Sequence, residues 1–180
     1  MREPIVPQFE AAEFVLWEEA QEARFELHHG FAVAFAGGTL DHDGIGFNLR
    51  QILARLFPPP CRTFGSDVKV RVNEASFYYA DVGVICEPTA GDATIVDAPR
   101  VIAEVLSRST RAYDMIEKRA AYRAMPSIEA YIIVHTDMRR IEVDARSGNG
   151  RWVTNAYDDD QAYVNGRAFS LDEVYCGSAL

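Results

Sequence analysis

The sequence has no long hydrophobic run and no basic, apolar leader. None of its apolar stretches reaches the roughly 20 residues that a membrane-spanning helix needs. The opening residues, MREPIVPQFEAAEF, are acidic and lack the charged and apolar regions of a signal peptide. We therefore expect a cytoplasmic protein with no membrane partner.

Cysteine is scarce as well. The three cysteines, Cys61, Cys86 and Cys176, are widely spaced and form no CxxC pair. This spacing indicates neither a disulfide framework nor a zinc ribbon. We expect reduced thiols that are partly buried.

Positive charge is in short supply. Lysine and arginine together number 18 against 27 acidic residues, so the formal net charge is −9. Strong non-specific binding to nucleic acid normally draws on a basic surface, because phosphate contacts dominate its affinity. Any role with nucleic acid must therefore depend on local charge, a bound cation or a partner.

Lysine is the rarer of the two basic residues. Only Lys69 and Lys118 are lysines, and all the other basic residues are arginines. Lysine is a compact point charge with a tunable pKa, which suits a place beside a phosphate or a metal-bound water better than arginine's fixed fork does. The alternative is chance composition, which is the better explanation for Lys69.

The rest of the composition is that of an ordinary globular protein. The 180 residues are 48% hydrophobic and 25% charged, which argues against disorder and is enough for a core without disulfide or metal staples. The chain contains no repeat and no long linker. We expect residues 1–180 to form a single domain.

Hydrophobic periodicity predicts helices and strands in a mixed order. Helical spacing occurs in FEAAEFVLWEEA, in LDHDGIGFNLRQILARLF, and in TRAYDMIEKRAAYRAM, which Ser109 or Thr110 would cap. The second helix presents one apolar stripe, Ile45, Leu49, Ile52, Leu53 and Leu56, and ends at the prolines 58–60. Strands are predicted on both sides of His29-Gly30 and in SDVKVRV, YYADVGVIC, RVIAEVLS, IEAYIIVH, RRIEVDA and RWVTNAY. This order predicts an α/β or α+β fold, a sheet flanked by helices.

Glu104 stands inside the apolar run Val101 to Leu106 and needs a partner, because desolvating a bare carboxylate costs several kcal/mol. If its strand lies beside the strand of Asp81, the two carboxylates can converge at one edge. Asp114 and Lys118 share one face of the following helix. A carboxylate pair with a lysine nearby is typical of a site for magnesium or manganese.

The segments YYADVGVIC, VIAEVLSRSTRAYDMIEKRAAYRAMPSIEAYIIV and RFELHHGFAV resemble the Uma-type (Uma-two) restriction-endonuclease family, whose members have the PD-(D/E)XK nuclease fold. The resemblance runs from about Phe9 to Val174. It implies a restriction-endonuclease-like fold, a mixed β-sheet flanked by helices.

The resemblance also implies the site residues. Asp81 matches the aspartate of the PD motif, although Ala80 replaces the usual proline, and Glu104 matches the second acidic residue. The lysine expected two positions later is absent, and Lys118 from the following helix matches it instead. Glu26 matches the glutamate of an early YEL segment and is a further site carboxylate. His42 matches a recurrent histidine that would line the same cleft.

The activity implied by the resemblance is metal-dependent hydrolysis of DNA. A magnesium or manganese ion would be held by Asp81, Glu104 and the backbone carbonyl of Val105, and would activate the attacking water. Lys118 would orient that water and offset charge in the transition state. Cleavage of both strands implies paired active sites and hence a homodimer.

Each of these residues could instead have a purely structural role. Asp81 and Glu104 could be a surface pair satisfied by Arg100 and Arg108, and Lys118 could form a solvated ion pair with Asp114. Tyr78, Tyr79, Tyr113, Tyr122 and Tyr131 are more simply core residues than base-stacking ones. The whole domain could be a non-catalytic binding or assembly module, or a phosphodiesterase acting on RNA or a small nucleotide.

Overall fold

The computed structural model describes residues 8–35, 37–106 and 114–180. The helices are α1 (Ala11–Glu19), α2 (Leu40–Leu56), α3 (Arg119–Ala124) and α4 (Leu171–Val174), and a π-helical turn, Asp114–Lys118, leads into α3. The strands are β1 (Phe25–His28), β2 (Phe31–Ala34), β3 (Arg62–Gly65), β4 (Lys69–Asn73), β5 (Ser76–Tyr79), β6 (Val82–Ile85), β7 (Ile95–Val96), β8 (Val101–Val105), β9 (Ala130–Val134), β10 (Ile141–Arg146), β11 (Trp152–Tyr157), β12 (Gln161–Val164) and β13 (Arg167–Ser170).

The strands form two main sheets and a hairpin. The first sheet has the order β2-β1-β5-β4-β7, the second β11-β10-β9-β8-β6-β3, and β12 pairs with β13. Both main sheets are mixed, because β4 runs parallel to β7 and β8 parallel to β9, while the other pairs are antiparallel. The predicted combination of mixed sheet and helices is confirmed.

Helix α2 packs on the second sheet through the predicted stripe. Thr39 caps its first turn by accepting a hydrogen bond from the backbone nitrogen of His42 (3.3 Å). Ile45 and Leu49 are fully buried against strands that include β6 and β8. The helix ends just before Pro58, as predicted.

The segment YYADVGVIC is two strands rather than the single strand predicted. Strand β5 ends at Tyr79 in the first sheet, and β6 begins at Val82 in the second. The chain crosses between the sheets at Ala80 and Asp81, since β5 pairs with β1 and β4 while β6 pairs with β3 and β8. Asp81 therefore lies at a junction between sheets and not inside a strand.

The expectation of three reduced cysteines is wrong. Cys61 and Cys86 form a disulfide with their Cα atoms 3.9 Å apart, and Cys176 is exposed and outside any disulfide. Cys61 precedes β3 and Cys86 follows β6, which pair with Arg62 opposite Ile85. The two cysteines thus face each other across the ladder, a closeness that their separation along the chain does not reveal.

The predicted cap at Ser109 or Thr110 and the packing of Tyr113 lie outside the described residues, and so does the side chain of Asp114 with its predicted contact to Lys118. In the part of the chain that is described, no helix is long and apolar enough to cross a bilayer.

Candidate active site

Asp81 is fixed at the sheet junction by two backbone contacts. The backbone nitrogen of Val105 donates a hydrogen bond to Asp81 Oδ2 (2.7 Å), and the backbone nitrogen of Asp81 donates to Glu104 Oε2 (3.4 Å). The pairing of Val82 with Ala103 between β6 and β8 sets this geometry. The structure therefore brings Asp81, Glu104 and Val105 together, as the sequence predicts.

Glu104 lies on the predicted face of its strand. Its neighbours on that face, Ile102 and Leu106, belong to one apolar cluster, while Val101, Ala103 and Val105 belong to another on the opposite face. Glu104 is only 3% exposed. Such burial requires a charged or hydrogen-bonding partner.

Lys118 is the partner of Glu104, and it also pairs with a second carboxylate, that of Glu26. Its Nζ donates to Glu26 Oε1 (2.9 Å) and lies 3.5 Å from Glu104 Oε1. Lys118 is 5% exposed and is therefore not a solvated lysine on the helix surface. Strand β1 supplies Glu26 from the first sheet, β8 supplies Glu104 from the second, and the π-helical turn supplies Lys118.

Glu26 is held as a carboxylate by several donors. Its Oε1 also accepts from the backbone nitrogen of Tyr79 (2.8 Å), and its Oε2 lies 2.7 Å from His28 Nε2. Burial alone would raise the pKa of Glu26, but the contacts with His28 and Lys118 outweigh it and leave the pKa below its ordinary value. Glu26 therefore carries negative charge beside Lys118 at neutral pH.

Two histidines border the same carboxylates. His42 Nε2 lies 3.4 Å from Asp81 Oδ2, and His28 contacts Glu26. His42 lies where the resemblance implies, whereas the contact of His28 was not predicted. The signal for His28 is its position two residues after Glu26, which puts both side chains on one face of β1.

These residues line one cavity of about 1010 Å³. Its wall includes Glu26, His28, His42, Asp81, Glu104, Val105 and Lys118. Among the described residues, no three His, Cys, Asp or Glu side chains are grouped closely enough to form a metal site by themselves. A cation here would have to be held by two carboxylates completed by backbone oxygen, water or substrate.

A second buried ion pair contacts Tyr79, which also lines the cavity. Lys69 and Glu18 form a close contact, and the hydroxyl of Tyr79 donates to the other oxygen of Glu18 (2.8 Å). The alternating pattern of SDVKVRV predicts an outward-facing Lys69, but it is only 6% exposed because α1 covers β4 with Glu18. Lys69 therefore has a structural role, and Tyr79 connects this cluster to Glu26.

Of the two arginines that could satisfy the carboxylates, only Arg100 is described. Arg100 pairs with Glu129 (2.8 Å) instead of Asp81 or Glu104, and Arg108 lies outside the described residues. Of the five tyrosines predicted to lie in the core, Tyr113 is outside the described residues, and the prediction is confirmed for the other four, Tyr78, Tyr79, Tyr122 and Tyr131, which are at most 5% exposed.

Known proteins resemble this chain along nearly its whole length. The family model described as Uma2, putative restriction endonuclease, matches residues 11–172. Two proteins of Synechocystis sp. are each 30% identical to it. The first, slr1290, aligns over 97% of this chain and 95% of its own length, and the second, sll1609, over 86% and 90%.

A solved structure supports the fold. The crystal structure of a protein from Anabaena variabilis, described as a putative nuclease belonging to DUF820, matches with a TM-score of 0.74 and 15% identity. The match covers 93% of this chain and 97% of that one, and it confirms the predicted restriction-endonuclease-like fold. Together with the extent of the family match, this confirms the resemblance drawn from the motifs: the chain belongs to the Uma2 family of restriction-endonuclease-like proteins.

Proposed function

We propose that the protein is a magnesium- or manganese-dependent endonuclease that hydrolyses DNA phosphodiester bonds. The observation that carries this proposal is the convergence of Asp81, Glu104, Glu26 and Lys118 in one cavity. They come from separate elements of both sheets, and three of them are almost fully buried. Family membership supports a nuclease-like activity.

The donor atoms fit a hard divalent cation. The carboxylates of Asp81 and Glu104 and the backbone carbonyl of Val105 would hold it, which leaves positions for water and a substrate phosphate, as magnesium commonly requires. When bound, the cation would supply Lewis acidity at the phosphate and a lower pKa for a coordinated water.

Lys118 serves the substrate from a fixed position. Glu26 and Glu104 hold its ammonium group on two sides, so little rotamer entropy is lost when it donates to a water or phosphate oxygen. The ammonium also offsets negative charge that grows on the phosphate in the transition state. Glu26 positions Lys118 in this scheme.

As a nuclease, residues 1–180 would form one catalytic domain that acts in the cytoplasm. A homodimer of this domain would present one active site to each strand of a duplex.

A non-catalytic role is the second candidate. The net charge of −9 works against binding of a polyanion, and Ala80 replaces the proline that the PD motif usually carries. Such a module would keep the fold and neither bind a divalent metal nor cut DNA.

Cleavage assays on Asp81→Asn and Glu104→Gln test the catalytic proposal. With Mn²⁺ and a panel of single-stranded, duplex and RNA substrates, we expect each variant to lose DNA cleavage by about 100-fold or more. Asp43→Asn is the matched control, because Asp43 lines the same cavity on α2 and is exposed. Circular dichroism checks that the variants fold. Full activity in either variant would refute the assignment.

A further inference from the structure

Helix α2 has a second stripe that faces the cavity instead of the core. Leu40, Asp43, Phe47 and Arg50 recur at helical spacing and all line the cavity that contains the proposed active site. The buried stripe of the same helix, which includes Ile45 and Leu49, points the other way. One helix thus supports the core on one side and borders the catalytic cavity on the other.

This wall exposes large apolar side chains. Phe47 is 62% exposed and Leu40 is 87% exposed, and Val33 of β2 adds a further apolar group at 43%. Phenylalanine is usually buried, because transfer of its apolar side chain from water to the protein interior lowers the free energy. An exposed aromatic ring beside a phosphodiester-cleaving site can instead stack with a nucleobase.

A cation lies on the same wall. Arg50 is exposed, and within the described residues it forms no ion pair. Its guanidinium reaches β3 beside Gly65, where an added Cβ would lie 3.1 Å from Arg50 Nη1. Gly65 pairs with Val82, the residue after Asp81. Arg50 is therefore available to a phosphate near the catalytic carboxylates.

We infer that Phe47 and Arg50 bind one unpaired nucleotide next to the bond to be cut, so that the protein is selective for single-stranded or locally unpaired DNA. This rests on the proposed function and deepens it. A base that is not stacked in a duplex can stack on an aromatic ring, and this strengthens binding without a phosphate contact. Such a contribution suits a chain of net charge −9 better than duplex binding, whose affinity depends on many phosphate contacts. A single strand has one backbone to cut, so one active site is sufficient for it. The second active site of a homodimer would act only where both strands are locally unpaired.

A DNA-binding assay under conditions that prevent cleavage tests this inference independently of catalysis. Fluorescein-labelled 12-nucleotide DNA, single-stranded or annealed to its complement, and the matching single-stranded RNA are titrated with the natural protein in EDTA, which prevents metal-dependent cleavage, and anisotropy is read. We expect the single strand to bind more tightly, and Phe47→Leu to weaken that binding about tenfold. Phe47→Tyr keeps a stacking ring and should bind like the parent. Phe31→Leu is the control, because Phe31 is an exposed phenylalanine of β2 that does not line the cavity.

A 2-aminopurine base in the same oligonucleotide reports stacking directly. Its fluorescence should fall on binding to the parent and fall less on binding to Phe47→Leu. Equal binding of single strand and duplex, no binding of either, unchanged binding by Phe47→Leu, or tighter binding of the matching RNA would overturn the inference. None of these results bears on whether Asp81 and Glu104 are needed for cleavage, so the two proposals fail separately.

Discussion

At the scale of single residues, the candidate site shows how a buried carboxylate is made tolerable. Glu104 and Glu26 share the ammonium group of Lys118, and Glu26 receives two further contacts from Tyr79 and His28. Buried charges that are paired in this way are costly to separate. The requirement that Glu104 have a partner follows from the sequence alone, but the identity of that partner depends on the family motif.

The residue that follows Lys118 is anchored just as firmly. Arg119 donates to both carboxylate oxygens of Asp144 (2.7 and 2.6 Å), and Thr154 donates to Asp144 Oδ1 (2.6 Å). Asp144 is 1% exposed. Burial would raise the pKa of Asp144, but the hydrogen bonds from Arg119 and Thr154 outweigh it and hold the pKa below the ordinary value of 3.8.

This pKa shift gives a signed prediction for stability. Because the folded-state pKa of Asp144 is depressed, its contribution is fully present well above pH 3.8 and is lost as pH falls through the folded value. We expect Asp144→Asn to lower the free energy of unfolding by about 3 kcal/mol at pH 7, since it breaks a buried pair. The difference should shrink as the pH falls below 3.8.

Urea unfolding at a series of pH values measures this difference. Asp172→Asn is the control, because Asp172 pairs with Arg139 while 77% exposed, and it should have little effect at any pH. A constant difference between Asp144→Asn and the natural protein from pH 7 to pH 3 would contradict the assignment of charge to this cluster.

At the scale of elements, the register of β3 and β6 decides where Asp81 lies. Phe64 pairs with Gly83, and a Cβ added at Gly83 would come within 2.0 Å of the Phe64 ring. The ring therefore lies directly on the backbone of β6, two residues from Asp81. Glycine is required here because any side chain would collide with the Phe64 ring. Its backbone conformation does not require glycine, because the φ of Gly83 is not positive.

Gly83→Ala should therefore destabilise the protein by about 1–3 kcal/mol through overpacking. Thermal and urea unfolding measure the effect, and Gly91→Ala, where nothing lies within 4 Å of the added Cβ, is the matched control with little expected change. Replacing Phe64 by leucine in the same chain should recover part of the loss. Equal stability of the two alanine variants would show that Phe64 does not pack against β6 in this way.

Periodicity predicts the elements that are long or strongly patterned. The stripe of α2 and the alternating faces of β8 follow from the sequence, including the side on which Glu104 lies. The break at Ala80 and Asp81 does not, because local alternation cannot show that β5 and β6 belong to different sheets. The burial of Lys69 and the Cys61–Cys86 disulfide also cannot be predicted from local periodicity, because both depend on contacts between segments that are distant in sequence.

At the scale of the whole molecule, the site exists only where the two sheets meet. Glu26 comes from the first sheet and Glu104 from the second, and Asp81 lies on the crossing between them. The motifs identify these residues through family resemblance, whereas spacing along the chain could suggest only that Asp81 and Glu104 converge. Because the net charge is −9, binding of a phosphodiester depends strongly on a bound cation, which would supply positive charge that the surface lacks.

A calorimetric titration of Mn²⁺ into the purified protein and into the Asp81→Asn, Glu104→Gln double variant tests the central claim without any choice of substrate. We expect saturable binding by the natural protein and by the Asp43→Asn control, and its loss in the double variant, because the two carboxylates are the charged ligands of the proposed site. Equal binding by the natural protein and the double variant would contradict the account, since the metal would then be held by other residues.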